Sequence, residues 1–270
     1  MPAPIEILLD PISLTIFAIY GALMVWEALA PARELPSIPG ARLRGMASFV
    51  VFFYLSSYLP MLWDGYLASY QLLDLSGLGV AGGAVAGLLV YELGAYIYHR
   101  AIHRYDALFT GVHQMHHSAE ALDTYSAFYF SPLDMVGWTG LGSLCLTLCV
   151  GVDPTAATVI LVATSFFSIF QHANLRTPRW LGYIVQRPES HTVHHGRGVH
   201  QKNYSDLPLW DILFGTFENP AGYEHETGFY PSASTRVLDM LLCRDVTEAP
   251  VASSPAASPR TAVTRASSAA

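Results

Sequence analysis

Five apolar runs, each nearly free of charge, confine this chain to a membrane-embedded helical fold. They occupy residues 11–30, 46–63, 75–91, 135–152 and 154–175. A helix rises 1.5 Å per residue, so about twenty residues cross a hydrocarbon core of roughly 30 Å. Backbone polar groups in that core must be satisfied within the segment, which leaves helices. The first run contains one charge, Glu27. The third continues through Glu92 to His99. The fourth and fifth flank a Gly-Val-Asp-Pro turn at 151–154, which predicts a helical hairpin. The expected fold class is therefore an all-α, multi-span membrane helical bundle of about five hydrophobic segments. Four spans with a re-entrant hairpin would fit the same pattern.

Composition closes off other classes. Only 13% of the 270 residues are charged and 52% are hydrophobic, where soluble domains carry about 25% charged residues. Disorder over the whole chain is excluded by that apolar content. A net charge of −7 with no basic stripe argues against nucleic-acid binding. Three cysteines do not make a disulfide framework. Cys145 and Cys149 share a helix face in an apolar run and read as packing, and Cys243 stands alone. Residues 1–246 read as one membrane-embedded domain. Residues 247–270 are rich in Ala, Ser, Pro and Thr, and are expected to be a disordered tail.

Charge orients the runs. Arg33, Arg42 and Arg44 fall between the first and second, and Arg100 and Arg104 follow the third. The remaining nine of the 14 Lys and Arg follow the fifth. The opposite side holds Glu6, Asp10, Asp64, Asp74 and Asp153. The positive-inside rule then sets the N-terminus out and the C-terminus in. Residues 1–10 lack the basic start of a cleavable signal peptide. The final residues, RASSAA, carry no retrieval signal, an expectation of a bacterial inner membrane over the endoplasmic reticulum.

Histidine is the second anomaly. Of eleven, ten lie between His99 and His200, on the side assigned to the cytoplasm. His99 and His103 are four apart. His113, His116 and His117 form one HxxHH group, and His191, His194 and His195 form another. Residues three and four apart are neighbours on a helix surface. Eight imidazoles on three short helical faces would repel one another if protonated, and make sense if neutral and shared by metal ions. They are too many for one structural zinc and lack its usual thiolates. Two redox-active ions with open positions use the count better and suit oxygen activation, whereas Mg and Ca want oxygen ligands. The lone His225 reads as a surface residue.

HRAIH at 99–103, HQMHHS at 113–118 with Asp123 six residues after His117, QHANL at 171–175, HTVHH at 191–195 and NYSDLPLWDILFGTF at 203–217 together resemble the fatty acid hydroxylase / sterol desaturase superfamily. These are integral-membrane non-haem diiron enzymes, and the resemblance covers residues 80–220. It implies a helical bundle capped by a cytosolic dome that holds the metals. It also implies two iron ions held by His99, His103, His113, His116, His117, His172, His191, His194 and His195. Two positions depart from the pattern. Arg176 stands where some lipid hydroxylases carry a second histidine after the fifth-span motif, and Ser131 precedes Pro132 where many members have His-Pro. His200, five residues past His195, is a candidate for a missing ligand.

The implied reaction is O2-dependent hydroxylation or desaturation of an unactivated C–H bond in a membrane lipid, such as a fatty acyl chain, sphingolipid or sterol. Electrons would come from NAD(P)H through a separate cytochrome b5- or ferredoxin-type donor, since the chain has no dinucleotide fingerprint and no haem attachment motif. Arg100, Arg104, Arg176, Arg179, Arg187 and Arg197 would make the dome basic, suiting an acidic carrier or anionic lipid head groups. The rival reading is a zinc-dependent membrane hydrolase or isomerase using the same clusters. Glu92, on the face of His99 two turns deeper, is a candidate catalytic carboxylate that could accept from a ligand histidine or Tyr96. Asp123 and Asn203 are further candidates. Glu120 and Glu189 read as solvated. Trp210, Phe214 and Phe217 read as core packing or as an interfacial anchor.

Overall fold

A computed structural model describes residues 1–250, and the tail expected at 247–270 lies mostly outside them. Helices α1 (Pro4–Leu8), α2 (Pro11–Leu29), α3 (Ala41–Ala68) and α4 (Gly79–Arg104) form the first half. The short α5 (Asp106–Leu108) and α6 (Gln114–His117) flank a π-helical turn, Phe109–His113. Helix α7 (Pro132–Ser143) runs into a second π-helical stretch, Leu144–Cys149, and α8 (Pro154–His172) follows. Helices α9 (Pro188–His194), α10 (Leu209–Phe214) and α11 (Val237–Leu241) lie in the C-terminal region. Among the described residues there is no strand, only an isolated bridge between Gly196 and Thr227.

Local sequence sets the helix starts. The Asp10 carboxylate accepts from the Ile12 N–H, and Pro11 occupies the first turn of α2. Asp153 and Pro154 do the same for α8, with the Asp153 carboxylate 2.8 Å from the Thr155 nitrogen. Ser131 caps α7. These are the preferred residues for orphan N–H groups and for a position that needs no donor.

Among the described residues, four helical segments are long and apolar enough to cross a membrane: Pro11–Leu29, Ala41–Ala68, Ser76–Arg104 and Pro154–His172. Only 17–33% of each is buried inside the protein, so side chains such as Leu14, Val51, Val85 and Leu161 remain uncovered. The fourth apolar run of the sequence is helical through Cys149, α-helical to Ser143 and π-helical beyond, and has a physical stop. The N–H groups of Leu72, Leu73 and Leu75 bond the carbonyls of Leu148, Cys149 and Val150 at 2.7, 3.0 and 3.0 Å. Those bonds satisfy acceptors that another helical turn would otherwise use.

Helix α7 packs on α3, while α8 packs on α4 and α2. Gly83 and Gly87, one turn apart, let α4 close on α8. A Cβ on Gly83 would sit 3.2 Å from Ala156 Cβ, and one on Gly87 would sit 2.6 Å from Ile160 Cδ1. Small residues at this spacing permit close helix approach in membranes. An aromatic core of Tyr20, Phe49, Phe128, Phe130 and Phe170 joins the bundle to the loops beyond it. The Tyr20 hydroxyl donates to the Thr124 carbonyl at 2.8 Å.

Candidate metal centre

Nine of the histidines converge at one end of the bundle, where α4 and α8 emerge. They form two groups. His99, His103, His113, His117 and His194 make one, and His116, His172, His191 and His195 make the other. Within each group the candidate ligand nitrogens lie within 4.8 Å of one another. All nine are buried except His103, which is half-buried.

The partition follows from helix geometry. At 100° per residue, positions i and i+4 are 40° apart on the helix, while i+3 lies on the other side of i. Each HxxHH box therefore splits. His113 and His117 enter the five-histidine group while His116 crosses to the other. His191 and His195 enter the four-histidine group while His194 crosses back. The π-helical turn Phe109–His113 ends on the first histidine of the first box, and such turns are frequent at functional sites.

The nitrogens meet head-on. In the four-histidine group, His116 Nε2 is 3.0 Å from His172 Nε2, and His191 Nε2 is 3.1 Å from both His172 Nε2 and His195 Nε2. In the other, His99 Nε2 is 3.0 Å from His113 Nε2, and Nε2 of His103, His117 and His194 has no hydrogen-bond partner among the described residues. Burial, with the neighbouring imidazoles second, holds His116, His117, His191, His194 and His195 well below the usual histidine range. These rings are neutral at physiological pH and offer lone pairs to a shared centre. Buried, convergent, unpartnered nitrogens fit a transition metal in each group, and the absence of oxygen donors does not fit Mg or Ca.

The far side of several rings is anchored. His99 Nδ1 bonds the Tyr204 carbonyl at 2.8 Å, His194 Nδ1 the Lys202 carbonyl at 2.8 Å, and His172 Nδ1 the Ser168 carbonyl at 2.6 Å. His113 Nδ1 meets the buried Asp134 carboxylate at 2.7 Å. Such partners fix the tautomer and raise ligand basicity. Sequence reasoning missed Asp134. It lies 21 residues from His113, and its one signal was a carboxylate at the mouth of an apolar run. His200 stands outside both groups. Its Nδ1 lies 3.1 Å from His117 Nδ1, behind the ring, and burial lowers it to about 4.

The other candidates occupy different places. Glu92 is fully buried and touches no histidine. Its Oε2 accepts the backbone N–H groups of Asp206 and Leu207 at 2.9 and 3.1 Å. Asp123 caps the turn Thr124–Ser126, accepting from Ser126 N at 3.0 Å, with Arg42 Nε 3.9 Å away. Burial pushes its carboxyl up to about 6. Asn203 donates to the Ser190 and Glu218 carbonyls and accepts from Glu218 N, tying α9 to the loop beyond α10.

Three sequence expectations are corrected. Glu120 and Glu189 are buried, not solvated. Glu120 accepts from Ser234 N and Oγ, and Glu189 accepts from Thr177 N and Oγ1. Arg187 does not add to a basic surface. It is fully buried, bonding Asn219 Oδ1, the Thr177 carbonyl and the Pro220 carbonyl. In each case a nearby loop supplies partners that sequence spacing could not reveal. Arg176 is exposed, and Ser131 donates to the Val112 carbonyl at 2.6 Å. Phe214 stacks on Tyr96 with 5.0 Å between ring centroids, yet half of it is exposed, beside exposed Ile212 and Leu213.

The fatty acid hydroxylase family matches residues 84–216, which contain all nine grouped histidines. An ornithine lipid hydroxylase of Rhizobium tropici is 32% identical over 141 residues, covering 50% of this chain and 42% of the relative. The human alkylglycerol monooxygenase is 31% identical over 138 residues, covering 49% and 30%. Sphinganine C4-monooxygenase 1 of Arabidopsis thaliana is 24% identical over 156 residues, covering 56% and 60%. The chain thus spans less than two thirds of these curated relatives. No solved structure matches it. Residues 84–216, just under half of the chain, carry a fatty acid hydroxylase domain.

Proposed function

We propose that the protein is an O2-dependent diiron oxidoreductase of the membrane that hydroxylates or desaturates an unactivated C–H bond of a lipid. The observation that carries this reading is the pair of buried histidine groups at one end of apolar helices. The relatives' names, ornithine lipid hydroxylase, alkylglycerol monooxygenase and sphinganine monooxygenase, support a lipid substrate.

His99, His103, His113, His117 and His194 would hold one iron, and His116, His172, His191 and His195 the other. Bound there, iron supplies the redox chemistry that activates O2. In the hydroxylation, one C–H bond and the O–O bond break. One oxygen enters the new alcohol and the other leaves as water, with two electrons and two protons taken up. An external NAD(P)H-linked carrier of the cytochrome b5 or ferredoxin type would deliver those electrons. The chain's own residues set the geometry. Asp134 and the carbonyls of Tyr204, Lys202 and Ser168 hold the rings in register, and full burial keeps water from the four-histidine group. The positive-inside pattern supports a cytoplasmic site.

The deciding experiment counts iron and zinc together in anaerobically purified protein. About two iron per chain, with O2 uptake coupled to lipid oxidation, is expected. Stoichiometric zinc with turnover in the absence of O2 would overturn the reading and leave a hydrolase or isomerase.

A further inference from the structure

His103 is the least buried of the nine grouped histidines, and the reason is a cavity of about 350 Å³. Arg100, Arg104 and Lys202 line it together with His103, Tyr204 and Thr216, and no carboxylate among the described residues lines it. Neither Arg100 nor Arg104 forms an ion pair among the described residues. Arg100 Nη1 donates to the Tyr96 hydroxyl at 2.8 Å and lies over that ring, while Arg104 lies over Tyr105. Lys202 pairs with Glu218 at 3.0 Å, both partly exposed, a pair of small net stability that a competing anion can open.

Helix α4 carries the boundary. Ile97, Arg100 and Arg104 share one face at spacings of three and four. Ile97 is exposed within a membrane-spanning segment, and one turn later the same face becomes cationic. Exposed Leu213 and Phe214 continue the apolar side, with Phe214 stacked on the Tyr96 that holds Arg100. The loop that brings Lys202 to the cavity is strained. His200, Lys202 and Asn203 have φ of 41°, 71° and 52°, a region that favours glycine and that other residues hold only where the surroundings fix it. That loop places the Lys202 side chain in the cavity lining and its carbonyl on His194 Nδ1.

We propose that Arg100, Arg104 and Lys202 form an anion subsite for the phosphate or carboxylate head of the lipid substrate, beside the five-histidine group. The proposal rests on the lipid hydroxylase reading and deepens it. The head group would sit on the guanidinium groups while its chain follows the apolar face of α4. Charge-assisted hydrogen bonds of this type are worth enough to set selectivity at tenfold or more.

The test uses the metal-loaded full chain in detergent micelles. Short-chain phosphatidic acid, the matching diacylglycerol and inorganic phosphate serve as probes, with affinity read by thermophoresis and O2 uptake read in parallel. The parent should bind phosphatidic acid about tenfold or more tighter than either other probe. Arg100→Gln with Arg104→Gln should weaken phosphatidic acid about 10–100-fold, leaving diacylglycerol affinity and metal content unchanged. Lys202→Gln should act in the same direction, and Arg100→Lys with Arg104→Lys should restore most of the affinity. Equal affinity for the charged and neutral lipids overturns the proposal, as does a double Gln variant that binds like the parent. Inorganic phosphate matching phosphatidic acid overturns the head-group assignment in favour of a free anion. Unchanged lipid affinity with slower reduction by an acidic carrier protein overturns it in favour of carrier docking. Selective binding without any O2 uptake would leave the subsite standing and break the hydroxylase reading. O2 uptake without selectivity would do the reverse.

Discussion

The five-histidine and four-histidine groups draw on the same two HxxHH boxes, but they are held differently. In the first, His99, His113, His117 and His194 each have a partner behind the ring: the Tyr204 carbonyl, the Asp134 carboxylate, the His200 ring and the Lys202 carbonyl. In the second, only His172 is anchored, on its own helix, while Nδ1 of His116, His191 and His195 has no partner. The first group also meets the cavity through His103, whereas the second is wholly buried. In the first group hydrogen-bonded partners fix the orientation of four of the five rings, and His103, which faces the cavity, is the exception. Where the centre is sealed, close packing of α8 and α9 holds the rings.

The largest expected effect removes one ring from each group. His116→Ala with His194→Ala should abolish metal binding and lower lipid oxidation at least about a thousandfold, by analogy with the 10–100-fold that loss of an outer partner alone brings. Metal analysis with far-UV circular dichroism checks it. A variant that kept its helices and both metals would break the assignment of the rings to two centres.

Acid should act on both groups in metal-free protein. Burial holds the folded pKa of His116, His117, His191, His194 and His195 well below 6.5, and that of His200 near 4. Below pH 6.5 the unfolded chain therefore binds protons that the folded one refuses. Stability is intact above that pH and falls as the pH drops toward each folded value, by up to about 1.4 kcal/mol per pH unit for each histidine. Thermal unfolding of metal-free protein between pH 7 and 4 should show a steep fall in midpoint, and a flat profile would contradict buried neutral rings.

Asp134→Asn separates the two groups. It replaces the carboxylate behind His113 with an amide, and should lower metal affinity at the five-histidine group about 10–100-fold while sparing the other. Competitive titration against a chelator would resolve one weakened and one unchanged equivalent. Equal weakening of both would mean that the anchored group is not energetically distinct.

How much of this was legible in the sequence varies with the range of the contact. Uncharged runs announced the spanning helices, because a bilayer imposes length and polarity on a contiguous segment. The fourth run turns π-helical after Ser143 and ends at Cys149, where residues 72–75, remote in sequence, supply donors to its last carbonyls. The histidines that gather were all named from local spacing plus the family resemblance, and 100° per residue sorts each box between the two groups. The anchors were not legible. Asp134, the Tyr204 and Lys202 carbonyls, and the burial of Glu120, Glu189 and Arg187 depend on loops folding back over 8 to 114 residues, and no periodicity encodes those closures.

The smallest expected effect concerns Glu92, whose place contrasts with that of Asp134. Both are fully buried carboxylates, but Asp134 touches a grouped histidine, whereas Glu92 Oε2 accepts two backbone N–H groups from the loop at Asp206 and Leu207. A glutamine oxygen can accept the same two bonds without carrying charge. Glu92→Gln should therefore retain both metals and stay within about twofold of parental activity, since neutral acceptors can replace charged ones at modest cost. Glu92→Ala leaves two buried N–H groups unpaired, which costs about 1–3 kcal/mol apiece. Because that loop continues into the Tyr204 carbonyl behind His99, the alanine variant should lower the thermal midpoint and loosen metal at the five-histidine group first. If glutamine abolished activity while metal content and midpoint held, Glu92 would be moving a proton and not pinning a loop, and the contrast with Asp134 would disappear.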